Sequence, residues 1–198
     1  MTSVKGGDND RPSEGEISAK LVQIPIGNRY LIMYENIETI WKVYSGYVKS
    51  QIQDCPNSIM LILPYYDTTD KVREVLESNG INTKENEQQG KLVIIDVQTV
   101  IKNQYYDVPE LERIRALTSQ IQAGSPDKTI IIIADMSVFN HLRGTLELLE
   151  YEKTLDRDLK IQQWRELCFY NERDFDIMFT KEQGNDLLEY QKENIITI

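Results

Sequence analysis

Five short apolar runs in this chain each end in side chains able to do chemistry. Tyr30–Tyr34 leads into Glu35-Asn36, and Ile59–Leu63 into Pro64-Tyr65-Tyr66-Asp67. Leu92–Ile95 leads into Asp96 and Gln98, Ile130–Ala134 into Asp135-Met136-Ser137, and Leu167–Tyr170 into Asn171-Glu172-Arg173. Carboxylates beside tyrosines can hold a small organic molecule by hydrogen bonding and ring contact. Tyr34, Glu35, Asp67, Asp135 and Ser137 are the residues expected to form such a rim, with Tyr170 as a wall. The same residue types also cap helices and fill core edges, so each has a purely structural reading as well.

The other chemistry these residues suggest lacks its partners. Asp135 closes an apolar run as the Mg²⁺-holding Asp of a Walker B strand does. A phosphate loop would also need glycines whose backbone N–H groups cradle phosphate, then Lys and Ser/Thr. The turn after the first run reads Tyr34-Glu35-Asn36-Ile37-Glu38-Thr39, with no Gly and no Lys, and its carboxylates would repel a triphosphate. His141 is the single histidine, no Gly-x-Ser-x-Gly elbow accompanies it, and no His/Cys cluster has metal-ligand spacing. Glu35 and Asp135 could act as an acid–base pair only if their strands are neighbours. The expectation is a non-catalytic chain without a cofactor.

The elements that must position these residues follow from periodicity. The apolar runs are short, mostly β-branched or aromatic, and lack in/out alternation, as strands of a parallel sheet covered on both faces do. Between them, Ile37, Ile40, Trp41, Tyr44, Tyr47, Val48 and Ile52 recur at helical spacing. Val72, Val75 and Leu76 predict a second helix that stops at Asn79-Gly80. Asp107-Val108-Pro109-Glu110 reads as a helix start, and further helices are expected from Val138 to Asp158 and from Asp174 to Tyr190. Glu152, Lys153, Asp156, Arg157, Asp158 and Lys160 read as a solvated helix face, and Asn194–Ile198 as an edge strand. Alternating strands and helices predict an α/β fold of three layers, with a mostly parallel central sheet flanked by helices. Residues 1–16 are polar enough to be a flexible tail, leaving 17–198 as one domain.

Composition limits the partners. The 198 residues hold 32 Asp+Glu against 22 Lys+Arg, a formal charge of −10, which argues against direct nucleic-acid binding. No apolar stretch approaches the ~18 residues of a membrane span, and there is no signal-peptide pattern. Cys55 and Cys168 form no CxxC and are expected as reduced thiols, consistent with a cytoplasmic location.

The order of several motifs resembles the MEDS domain, the sensory domain named after methanogen and methylotroph proteins and the dichloromethane-responsive regulator DcmR. The resemblance spans about Ile24 to Ile198. It rests on Leu31-Ile32-Met33-Tyr34-Glu35-Asn36, Gly80-Ile81, and Gly90-Lys91-Leu92-Val93-Ile94-Ile95-Asp96. Ala134-Asp135-Met136-Ser137, Leu148-Leu149-Glu150-Tyr151-Glu152, Leu167-Cys168-Phe169-Tyr170 and Phe175 complete it. The chain departs from the common pattern at Ala134, where Gly is frequent, and at Val138, where Trp is frequent. The resemblance implies a RecA/KaiC-like fold that has lost its phosphate loop and acts as a sensory or regulatory domain in signal transduction or transcriptional regulation. Such domains are generally joined to helix-turn-helix, PAS or histidine kinase domains, and this chain is expected to have no room for a DNA-binding or kinase domain. Its output is therefore expected through a separate effector, a kinase or transcription regulator, or through a homo-oligomer, after a small molecule or signalling partner binds at the strand ends. The alternatives are an oligomerisation module, in effect an inactive RecA-like subunit, and a residual nucleotide-binding ATPase.

Overall fold

The computed structural model describes residues 13–102, 110–139, 148–149, 152 and 164–198. Its strands are β1 (Arg29–Tyr34), β2 (Ser58–Leu63), β3 (Leu92–Ile94), β4 (Thr129–Asp135), β5 (Arg165–Asn171) and β6 (Ile195–Thr197). They form one sheet in the order β3-β2-β4-β5-β1-β6, and every neighbouring pair is parallel. Each apolar run expected as a strand is one. The helices among the described residues are α1 (Glu14–Val22), α2 (Ile37–Asp54), α3 (Thr69–Ser78), α4 (Thr83–Gln88), α5 (Val97–Lys102), α6 (Glu110–Gly124), α7 (Glu172–Met178) and α8 (Lys181–Tyr190).

Alternate strand residues bury on opposite faces, and both faces are apolar. Ile32, Tyr34, Ile62, Ile133 and Phe169 pack with Leu21 of α1, Tyr47 of α2 and Leu76 of α3. Leu31, Met33, Leu61, Ile132 and Tyr170 pack with Ile114 of α6, Met178 of α7 and Leu187 of α8. Two apolar layers of this kind are what a parallel sheet requires. Helix ends follow local chemistry. Asn36 caps α2 by accepting from the Glu38 N–H (2.8 Å), and α3 ends at Asn79 with Gly80 at φ 82°.

Several elements differ from expectation. Helix α1 begins inside the first sixteen residues, because Ser13 and Glu16 form a capping box ahead of Ile17 and Leu21. Helices α4 and α5 were not expected. The single helix expected from Asp174 to Tyr190 is two, because Thr180 and Gln183 make a second capping box that starts α8. The Asp107-Val108-Pro109 helix start and His141 lie outside the described residues, as does most of the helix expected from Val138 to Asp158. Glu152, expected on a solvated face, is instead fully buried, for it pairs with Arg29 of β1.

Strand order also decides which strand ends meet. From β1 the chain crosses through α2 to β2, beyond β5 and β4, whereas from β5 it passes through α7 and α8 to β6 on the other side of β1. Connections leaving adjacent strands in opposite directions open a crevice at their carboxyl ends. That crevice lies between β1 and β5. Because β5 separates β1 from β4, the pairing of Glu35 with Asp135 as neighbouring-strand acid and base is not realised. No described helix is long and apolar enough to cross a membrane.

Candidate functional site

The crevice is an open cleft of about 860 Å³. The β1 exit supplies Tyr34, Glu35 and Asn36, α2 supplies Ile37 and Trp41, and the β2 exit supplies Tyr66 and Asp67. The β5 exit and α7 supply Asn171, Arg173, Asp174 and Ile177. Asn171 holds two roles: its carbonyl caps α7 by accepting from the Arg173 N–H (3.1 Å), and its amide donates to the Glu35 carbonyl (3.5 Å). The Trp41 indole N–H donates to Asp67 (2.7 Å), and the Tyr66 hydroxyl donates to Asp174. These bonds tie the rim across five elements: β1, α2, β2, β5 and α7.

Beneath the cleft is a smaller cavity of about 40 Å³, which shares Tyr34, Ile37 and Asp67 with it. Its other walls include Ile40, Tyr44, Ile62, Val72, Ile133, Asp135 and Phe169. Asp135 accepts from the Ser137 N–H (3.0 Å). Burial raises its carboxyl from 3.8 to about 7, against the lowering effect of hydrogen bonds from Ser137 and the Tyr66 backbone; the Asp174 charge raises it further. Burial likewise pushes the Tyr34 phenol up, helped by the charges of Asp135 and Asp174, and pushes Tyr44 up beside Asp67. The Tyr34 and Tyr44 side chains are 1% and 5% exposed, and their hydroxyls have no hydrogen-bond partner among the described residues. The Ser137 hydroxyl lies near the oxygens of Tyr34, Tyr66 and Asp135.

Of the residues expected at the rim, Tyr34, Glu35, Asp67 and Asp135 come together around these two spaces. Ser137 stands behind Asp135, fully buried, and lines neither space. Tyr170 is not brought to the cleft. It alternates with Phe169 and Asn171 along β5, so its ring lies on the opposite face, where its hydroxyl donates to Glu152 (2.7 Å) and its ring meets Phe175 edge-on. Trp41, Tyr44 and Asp174 line the site without having been singled out. Trp41 and Tyr44 carried only an apolar-stripe signal, and Asp174 only a helix-start signal.

Opposite the cleft side, Arg29 pairs with the Glu152 carboxylate and donates to its carbonyl (2.5 Å). Gln191, with its amide oxygen turned toward the guanidinium, accepts from Arg29 Nε (3.3 Å). Glu166, in register with Arg29, and Cys168 are buried beside this pair. Cys55 and Cys168 are free thiols.

The N-terminus of α2, which follows β1, is already occupied by the Asn36 side chain and carries Glu38 in its first turn. Among the described residues, no three His, Cys, Asp or Glu side chains are close enough to hold a metal ion.

Residues 30–181 match the MEDS family, described as the MEthanogen/methylotroph, DcmR Sensory domain. No curated protein sequence matches the chain. A KaiC-like protein from the hyperthermophilic archaeon Pyrococcus horikoshii OT3 has a similar structure, with TM-score 0.56 and 11% identity. The similarity covers 83% of this chain and 69% of that one, and it bears on the fold, which is RecA/KaiC-like.

Proposed function

The chain belongs to the MEDS family of sensory domains, and from that premise we propose that it is a non-catalytic sensor whose small-molecule ligand enters the β1–β5 cleft. The observation that carries this reading is the cleft at the topological switch point, lined by carboxylates, tyrosines and Trp41. The Asn36 cap and Glu38 at the start of α2, with Glu35 and Asp67 in the cleft, support a ligand other than a nucleoside triphosphate. A ligand bridging the two strand exits would bear on the Asn171–Glu35 contact, which joins them. It would favour whichever loop arrangement binds it better, and a separate effector would read that arrangement.

Thermal-shift measurements on the wild type and Trp41→Ala, against a panel of nucleotides, amines, alcohols, carboxylates and aromatic compounds, test this function. At least one compound should stabilise the wild type by several degrees and the variant by much less. A panel that stabilises both proteins equally, or neither, overturns the reading.

A further inference from the structure

We infer that the cavity beneath the cleft is a site for a small organic monocation of the alkylammonium class, an assignment that rests on the sensor reading above. Four features of the cavity carry it. First, its polar lining is acidic. Asp67 and Asp135 line the cavity, and Glu35 and Asp174 line the cleft above it. The facing cations are fewer: Arg173 lines the cleft, and Lys71 lies over the Trp41 ring, 5.3 Å from its centroid, bridged to Glu74. Second, two buried hydroxyls have unmet hydrogen-bonding capacity. Among the described residues the Tyr44 phenol oxygen lacks a partner and that of Tyr34 has only the Ser137 hydroxyl near it, and each feels a neighbouring carboxylate, Asp135 for Tyr34 and Asp67 for Tyr44. Buried polar atoms in native proteins are nearly always satisfied, so unmet ones lining a cavity point to a guest.

Third, the rest of the wall is apolar and aromatic, from Ile62, Val72, Ile133, Phe169 and the two tyrosine rings. Carboxylates and phenol oxygens accept N–H, ring faces attract a cation, and aliphatic walls accept methyl groups. An anion would face the carboxylates. A hard metal ion would find no three converging ligands among the described residues. Fourth, the cavity is about 40 Å³, room for about three waters. A guest of a few heavy atoms fits it, and a nucleotide does not.

Calorimetric titration of the whole chain at fixed ionic strength, with methylammonium, trimethylammonium, tert-butanol and pivalate as probes, tests the assignment. The two cations should bind, and their neutral and anionic analogues should bind at least tenfold more weakly. Asp67→Asn, whose amide oxygen still accepts from Trp41, should weaken cation binding at least tenfold. Tyr34→Phe should weaken it severalfold without lowering the melting temperature, an outcome that a structural role for the hydroxyl would not produce. Asp54→Asn, an exposed acid at the end of α2, should leave binding unchanged. Equal binding of tert-butanol or pivalate, or full binding by Asp67→Asn, overturns the cation assignment and leaves the sensor reading standing. So does failure of both cations while another compound stabilises the chain through Trp41. If nothing binds in either experiment, both readings fall.

Discussion

On the sheet face covered by α6, α7 and α8, the Arg29 guanidinium, the Glu152 carboxylate and the Tyr170 hydroxyl meet one another. On the face covered by α1, α2 and α3, Asp67, Asp135, Tyr34 and Tyr44 line a cavity, with no opposite charge bonded to either acid among the described residues. Both sets sit within apolar layers of similar composition. The first is cross-linked by an ion pair and a hydrogen bond and ties the start of β1 to Glu152. The second leaves acceptors facing empty space. Burial of polar groups therefore has two meanings in one small domain: cross-linking where charges match, and capacity for a guest where they do not.

The largest test of that contrast is Arg29→Met. It strands the buried Glu152 carboxylate and should destabilise the chain by about 3–5 kcal/mol, with part recovered in Arg29→Met/Glu152→Gln. Urea unfolding measures it, and a loss below about 1 kcal/mol would show that the closed set is not a set.

The next effect belongs to the open side and depends on pH. Folding raises the Asp135 carboxyl from 3.8 to about 7, so the folded chain retains a proton that the unfolded chain releases across that interval. Stability should fall as pH rises from about 4 to about 7, by about 3–4 kcal/mol, and then level off. Ser137, Tyr34, Tyr65, Tyr66 and Asp174 surround the group and would remain unaltered in Asp135→Asn, which should flatten the profile and be the more stable protein at pH 8. Melting curves for both proteins from pH 4 to 8 decide this, and parallel profiles would refute it.

The smallest effects come from two tyrosines treated alike. Tyr170→Phe removes the donor to buried Glu152 and should lose about 1–2 kcal/mol. Tyr34→Phe removes a hydroxyl that no charged group among the described residues depends on and should change stability by less than about 0.5 kcal/mol. Equal losses on chemical unfolding would erase the distinction between the two faces.

Much of this architecture is legible in the residues themselves. The strands are so apolar on both faces that each announces itself, and Asn79-Gly80 and Ser13-x-x-Glu16 follow local capping rules. Yet the Ser13 box opens a segment whose composition reads as a tail, and the Thr180 box interrupts a run without Pro or a break in polarity. Local chemistry outweighed window averages in both places. The site was partly legible because strand exits carry it: Tyr34, Glu35, Asp67 and Asp135 lie where a parallel sheet would place them. Tyr170 was misplaced by one step of alternation. Glu152 was misread because a charge pattern along a helix says nothing about an arginine 123 residues away in sequence. Trp41 and Asp174 acquire their roles only through Asp67 and Tyr66, partners that no local window contains.

The two outermost strands, β3 and β6, are three residues each, against six or seven for the strands between them. Unpaired strand edges invite another chain to add to a sheet, and short ones offer a poor template. A second copy or an effector would find little backbone to zip onto at either margin. Among the described strands the sheet is thus a terminated unit, and on the proposed sensor reading a message from the cleft would leave through side-chain surfaces of helices and strand-exit loops, which can change shape without lengthening the sheet.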